Sequence, residues 1–203
     1  MARKKLIRTS EFYYHIYARS NNKEWFYLEQ EIVWNIFIKL LNQSSEKFRA
    51  NISIATLMNN HFHLLVQTPD TNIDTIMQFI MKEMAQQINK KAQRINHVFG
   101  SPYKWCVITT NHYLYNVFRY IYQNPLRANI CTDMNDYRYY KIFNDHFVSE
   151  IKENEHFDKW LNTIPELQSN EFIKKSLYRR EFRVGRDPIT RKPYQFTAPY
   201  LSK

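Results

Sequence analysis

Polar and apolar residues alternate along "FYYHIYARS" (Phe12 to Ser20), and side chains two apart on a strand share a face, so this stretch predicts a half-buried β-strand. The polar "NNKE" then opens a helix from about Lys23 to Phe48, with Asn22 as its N-cap and Phe26, Val33, Phe37, Leu40 and Leu41 on the buried side. "NISIATLM" and "HFHLLVQT" read as a second and a third strand joined at Asn59 and Asn60, a turn-favouring pair. In "TNID", Thr71 reaching toward Asp74 resembles a capping box and predicts a second helix. Ile73, Ile76, Met77, Ile80, Met84 and Ile88 recur there at helical spacing, with Lys82, Lys90, Lys91 and Arg94 mostly off the stripe. Gly100 and Pro102 close that unit. "YKWCVITT" is a fourth strand, and "HYLYNVFRYIYQNPLRA" a third helix interrupted at Pro125.

The order β-α-β-β-α-β-α predicts an α+β fold, an antiparallel sheet with flanking helices around a ferredoxin-like or RRM-like βαββαβ core. Beyond Ile130 the periodicity weakens. "DYRYYKIF" reads as a short strand or a loop, and "NEHFDKWLNTI" as a short helix.

Composition narrows the chemistry. The chain has 203 residues, 44% of them hydrophobic and 16% aromatic, enough for a packed core. Only two glycines occur, Gly100 and Gly185, which excludes a phosphate-binding glycine loop and a dinucleotide fingerprint. The net charge of +10 favours polyanions, nucleic acid before anionic membrane. No apolar run approaches the roughly 20 residues needed to span a bilayer, and "MARKKLIRTS" lacks a signal-peptide core, so a cytoplasmic protein is expected. Cys106 and Cys131 read as reduced thiols.

The charge is uneven. Lys174 to Lys192 holds eight basic residues, among them Arg179, Arg180, Arg183 and Arg186, against Glu181 and Asp187. With Arg3, Lys4, Lys5 and Arg8 these suit phosphate contacts, and Tyr178, Phe182 and Tyr194 could stack on bases. The other reading is a solvated tail.

Two constellations carry candidate chemistry. On the third strand His61, His63 and Leu65 share a face, opposite Phe62, Leu64 and Val66. Two neutral imidazoles on one face can share a divalent cation; alternatively they are hydrogen-bonded within a polar sheet edge. On the third helix Leu114, Val117, Phe118 and Ile121 form the buried face, with Tyr113, Tyr120 and Asn124 on one flank and Tyr115 and Tyr122 on the other. Tyr120 and Asn124, four apart, could address a metal that the amide helps to hold; otherwise the tyrosines stack on the sheet and Asn124 caps the helix. Taken together, a metal pair, a tyrosine and a cationic surface are the parts needed to cut a DNA strand by tyrosine attack.

"MNNHFHLLVQTP", followed by "FRYIYQNPLRANI", resembles the REP-associated tyrosine transposases, relatives of the single-tyrosine HUH transposases. "HIYARSNNKEWF" resembles their first strand and helix start, with Arg19 in the expected place. Asn59 stands where the family has proline, and Trp105 lacks the arginine that commonly follows. The match runs from about Phe12 to Tyr140. It implies a transposase/endonuclease domain over 1–140, with 141–203 a basic, DNA-contacting extension.

The resemblance implies His61 and His63 as metal ligands, Asn124 as a third, Tyr120 as the nucleophile, and magnesium or manganese as the metal. Arg3, Lys4, Lys5, Arg8, Arg19, Arg127, Arg179, Arg180, Arg183 and Arg186 are the expected DNA contacts. The implied substrate is single-stranded DNA folded into an imperfect hairpin, a repetitive palindrome of a bacterial chromosome, which gives a nucleoid-associated location. Cleavage and rejoining through a 5'-phosphotyrosine is the expected reaction. The alternatives are a non-catalytic hairpin DNA- or RNA-binding protein with the same fold, and a metal-dependent phosphoesterase using water. Monomer and dimer are both open.

Overall fold

The computed structural model describes residues 7–143, 148–149 and 157–162. Within them β1 (Tyr13–Arg19), α1 (Gln30–Phe48), β2 (Asn51–Leu57), β3 (His61–Gln67), α2 (Ile73–Ala92) and β4 (Lys104–Ile108) follow in turn. The strands pair antiparallel in the order β4-β1-β3-β2, the ferredoxin-like arrangement expected from the element order. The "DYRYYKIF" segment supplies β5 (Tyr140–Ile142), which pairs with the outer edge of β2. β3 is central, and its five interior residues are buried whichever face they serve.

Strand alternation divides the core into two layers. Tyr14, Ile16 and Ala18 of β1, Ile52, Ala55 and Leu57 of β2, and Phe62, Leu64 and Val66 of β3 meet the apolar stripes of α1 and α2. Phe37 of α1 packs its ring 4.7 Å from that of Phe62. Such a fully buried aromatic stabilises by about 2–3 kcal/mol through area alone. On the reverse face Ile54, Leu65 and Ile108 meet α3 (Asn111–Tyr122), through Leu114, Val117, Phe118 and Ile121, the four positions its periodicity marks as buried.

Three local contacts set α3 against the sheet. The Thr110 side chain caps its start by accepting from the Tyr113 amide at 3.3 Å. The Thr56 hydroxyl of β2 donates to the Ile121 carbonyl at 2.9 Å. The helix then yields at Gln123 to the single turn α4 (Asn124–Arg127), which accommodates Pro125 near its start, where no intrahelical donor is needed. Met134, Tyr137, Val148 and Leu161 complete this second layer, the last on α5 (Phe157–Asn162), so apolar residues beyond Tyr140 share the core.

Two helix starts differ from the sequence expectation. α1 begins at Gln30, not Lys23, and Asn22 is no N-cap but a turn residue with φ 53°. The chain before α1 is occupied elsewhere: Ser20 and Phe26 donate their amides to the Asn60 and Asn59 carbonyls, tying this segment to the β2–β3 turn. Tyr27, at φ 62°, then breaks any earlier helical run. Thr71 likewise takes φ 54° and does not cap α2. The cap position is Asn72, whose amide donates instead to the Phe48 carbonyl at the end of α1.

Candidate active site

The β1–β3 register opposes Arg19 to His61 and Tyr17 to His63, all on the α3 side of the sheet. His15, two residues before Tyr17, joins the same face. Its Nε2 lies 2.9 Å from Nδ1 of His63, while the ring centroids are 5.1 Å apart and the planes only 17° from parallel. Centroids that much farther apart than the touching nitrogens describe two rings meeting edge to edge through a hydrogen bond, not a face-to-face stack. The His61 ring stands 84° to that of His63 at 5.1 Å, and its Nδ1 lies 2.7 Å from the Asn60 side-chain oxygen.

α3 brings Tyr120 over this group. Its ring presents an edge to His63 at 5.6 Å and to His15 at 6.0 Å. The flank assignment from the 3.6-residue period therefore holds in space. Tyr113, on the same flank, has its hydroxyl 3.9 Å from the Cys106 sulfur of β4. Tyr122 and Tyr115, on the other flank, pack against Tyr140 and Trp160. Asn124 is buried at the start of α4, its amide nitrogen donating to the Tyr120 carbonyl at 3.4 Å.

Burial governs the imidazoles. It lowers His15 to about 3 and, with the nearby Arg19 charge, His61 to about 4. It also holds His63 well below the ordinary value, helped by His15, His61 and Arg19. All three are neutral at pH 7. Since the unfolded chain titrates near 6.5, it binds more protons than the folded one below that pH, and stability falls on acidification from about pH 6.5 toward 4. Each histidine contributes up to about 1.4 kcal/mol per pH unit in that window. The melting temperature is expected to drop steeply between pH 7 and pH 5; a flat profile in thermal unfolding would contradict neutral burial.

Two arginines flank this end of α3, Arg127 on the Tyr120 side and Arg119 on the Trp160 side. The Arg127 guanidinium lies 5.9 Å from the Tyr120 ring centroid, and one of its terminal nitrogens donates to the Gln123 side-chain oxygen at 3.1 Å. Arg119 lies over the Trp160 ring at 5.0 Å and donates to Asn116. The Nε of each arginine is buried with no hydrogen-bond partner among the described residues. Burial lowers the pKa of both, and in Arg119 the Arg127 charge adds to it. Among the described residues the ion pairs are Arg8–Asp74 and Arg49–Asp70, so neither arginine is neutralised by a carboxylate.

The donor set suits a divalent cation. Both candidate ligands are neutral, each engages Nδ1, and Nε2 of neither makes a hydrogen bond among the described residues. No group of three or more His, Cys, Asp or Glu side chains is placed to hold a metal among those residues. The Asn124 amide, at the start of α4, is an oxygen donor that could add to the two imidazoles.

Of the residues singled out in the sequence, His61, His63, Tyr120, Asn124, Arg19 and Arg127 are gathered on this side of the sheet or at the end of α3. Arg8 is not: it is paired with Asp74 of α2, at 2.6 Å, on the opposite layer. Arg3, Lys4, Lys5, Arg179, Arg180, Arg183 and Arg186 lie outside the described residues. His15, Asn60 and Arg119 were not anticipated. Alternation does place His15 on the face of Arg19, but its contact with His63 depends on the β1–β3 register.

No helix among the described residues is long and apolar enough to cross a membrane. No curated protein is significantly similar to the chain. Among solved structures, a REP-associated tyrosine transposase bound to a REP hairpin shares the fold, with a TM-score of 0.55 at 12% identity over 69% of this chain and 82% of that one. A crystal structure described as a candidate transposase of Deinococcus radiodurans aligns at 15% identity over 60% of this chain and 94% of its own, with a TM-score of 0.39. The family model for "Transposase IS200 like" matches residues 8–124, from the approach to β1 through Tyr120 to Asn124. The chain thus belongs to the IS200-like transposase family, a family of DNA-processing proteins.

Proposed function

We propose that this transposase is a metal-dependent single-stranded DNA endonuclease and strand transferase that cleaves and rejoins DNA near hairpins through a 5'-phosphotyrosine link. The observation that carries this reading is the approach of the Tyr120 ring to the His63 ring across the α3–sheet interface, at 5.6 Å. Tyr120 is the nucleophile, His61 and His63 hold the cation, and Asn124 is a further oxygen donor. The family resemblance implies magnesium or manganese as the metal, which the two imidazoles would hold together with oxygen donors. When bound, the cation supplies charge withdrawal and orientation at the scissile phosphate.

The remaining chemistry belongs to the chain. The Tyr120 phenol oxygen bonds to phosphorus as the P–O3' bond breaks; the phenol gives up its proton, and the departing 3' oxygen gains one. The 5' phosphate stays on Tyr120 and the other strand end carries a free 3' hydroxyl. Attack by a 3' hydroxyl on the link reverses these changes and rejoins DNA, with phosphoester number conserved and no nucleotide triphosphate consumed. That economy agrees with a chain holding two glycines. Arg127, a cation without a carboxylate partner among the described residues, suits the phosphate beside Tyr120, and Arg119, toward the Trp160 side of the helix, suits DNA farther from the site. Arg19 suits the strand entering beside His61. A hairpin substrate accords with the similar transposase described as bound to one. The terminal basic segments are the expected grips on the DNA backbone outside the site.

A labelled hairpin with a single-stranded extension, incubated with the full chain and Mg²⁺ or Mn²⁺, is expected to yield a protease-sensitive, denaturation-resistant adduct. Cut DNA without an adduct would identify a hydrolytic phosphoesterase. Salt-sensitive binding with neither cutting nor adduct would identify a non-catalytic hairpin binder.

A further inference from the structure

An imidazole binds a metal through the nitrogen that carries no proton, so a ligand histidine works only in the matching tautomer. At His61 the surrounding hydrogen bonds decide which nitrogen that is. The Asn60 amide nitrogen lies 2.8 Å from the Lys23 carbonyl oxygen, which can only accept. That contact orients the Asn60 amide and leaves its oxygen toward Nδ1 of His61 at 2.7 Å. An amide oxygen cannot donate, so His61 Nδ1 carries the proton and Nε2 carries the lone pair. The amide is fixed in turn by its backbone, since the Asn60 carbonyl accepts from Ser20 at 2.8 Å. The turn before α1 therefore reaches His61 through one side chain. At His63 the corresponding contact is the 2.9 Å approach of His15 Nε2 to Nδ1, deep between the sheet and α3.

We propose that Asn60 and His15 are positioning residues that hold His61 and His63, respectively, in the Nδ1–H tautomer, leaving both Nε2 lone pairs free for one divalent cation. The inference rests on the reading of these histidines as metal ligands. It explains why the turn is tied back at Lys23 and why a third imidazole is buried behind the pair. Because a ligand Nε2 must carry no proton, the proton of the His15–His63 contact belongs on His63 Nδ1 under that reading, so His15 accepts it and acts on the metal only through His63.

The test uses the full chain labelled with ¹⁵N-histidine, without metal, and reads the ring-nitrogen shifts of each imidazole. Wild type is expected to show protonated Nδ1 and bare Nε2 on both His61 and His63. Asn60→Ala should move His61 toward the Nε2–H form and leave His63 unchanged; His15→Phe, which keeps ring volume but no acceptor, should do the reverse. Asn60→Asp, which keeps an acceptor oxygen, should retain the wild-type pattern at His61. Thermal unfolding checks that each variant is folded. Titration with Mn²⁺ alone, followed by the loss of its free-ion EPR signal, should then show about 10- to 100-fold weaker binding in Asn60→Ala and His15→Phe. Nε2–H on either ring of the folded wild type would overturn the proposal, as would variants that change neither tautomer nor Mn²⁺ affinity. Tautomers that respond as stated, in a wild type that binds Mn²⁺ no better than a variant lacking both ligand histidines, would uphold the positioning and overturn the metal reading instead.

Discussion

Tyr120→Phe is expected to abolish covalent protein–DNA adducts, a loss of about 10⁴-fold or more in strand cleavage, while hairpin affinity stays within about fivefold of wild type. The asymmetry follows from what the substitution removes. The aromatic ring that packs against His63 and His15 is retained, so the α3–sheet interface keeps its apolar contacts. Only the hydroxyl goes, at about 1 kcal/mol of hydrogen bonding. Arg119, Arg127 and the ring pair of His61 and His63 keep their places. The measurement is an adduct gel run beside a filter-binding titration on one hairpin. Tyr113→Phe is the internal comparison: that hydroxyl lies by Cys106 on β4, and its loss should leave adduct formation intact. Adducts surviving in Tyr120→Phe but lost in Tyr113→Phe would move the nucleophile about two turns back along the helix and end the assignment.

How far the fold could be read ahead of the structure depended on whether its cause was periodic. β1 and β3 announced themselves by alternation and each long helix by an apolar stripe, because burial of one face is what both patterns record; three-residue β5 is too short for either. The two-layer division followed directly: residues of β3 separate into Phe62, Leu64 and Val66 on one side and His63 and Leu65 on the other. Helix starts were misplaced where a tertiary contact overrode a local signal. Asn22 and Thr71 have the chemistry of caps, yet both adopt positive φ. Near Asn22 the turn spends its polar groups on Asn59 and Asn60; near Thr71 the neighbouring Asn72 amide bonds the end of α1.

The site divided in the same way. His61 and His63 could be paired from their spacing, and Tyr120 with Asn124 from the helix repeat, since each pair lies within one stretch of chain. What joined them was the side on which α3 packs, and no periodicity within α3 can state which sheet face it covers. His15 needed a further step, the register that sets it diagonal to His63 across β1 and β3. Asn60 was visible only as a turn residue, because its use by His61 arises from the Lys23 carbonyl, far earlier in the chain. Arg119 sat within the same helical motif as Tyr120. Its significance lies in having no carboxylate partner among the described residues, which is a property of the surroundings and not of the sequence.

Replacing His61 and His63 together by alanine is expected to remove metal-dependent cutting altogether and to take Mn²⁺ binding below detection, with hairpin binding largely kept through the arginines. The single substitutions should each fall most of the way, because one imidazole cannot hold the cation at the phosphate and the pair acts as a unit. The double variant also carries a structural signature that separates a lost ligand from a lost fold. Removing buried His63 leaves a cavity and deprives His15 of its partner, a cost of about 2–4 kcal/mol at pH 7. In acid the difference shrinks. Two bases whose folded pKa lies below the unfolded 6.5 are gone, so the unfolded variant no longer gains their protons as the pH falls from about 6.5 toward 4. Wild type loses stability through that window, the variant loses less, and their melting temperatures should converge by about pH 5. Thermal unfolding across pH, run beside cleavage and Mn²⁺ titration at pH 7, reads all of this on one protein. Undiminished metal-dependent cutting by a folded double variant would remove the imidazole pair from the mechanism. Melting curves that stay parallel from pH 7 to pH 5 would show that the two rings do not titrate as buried, neutral groups.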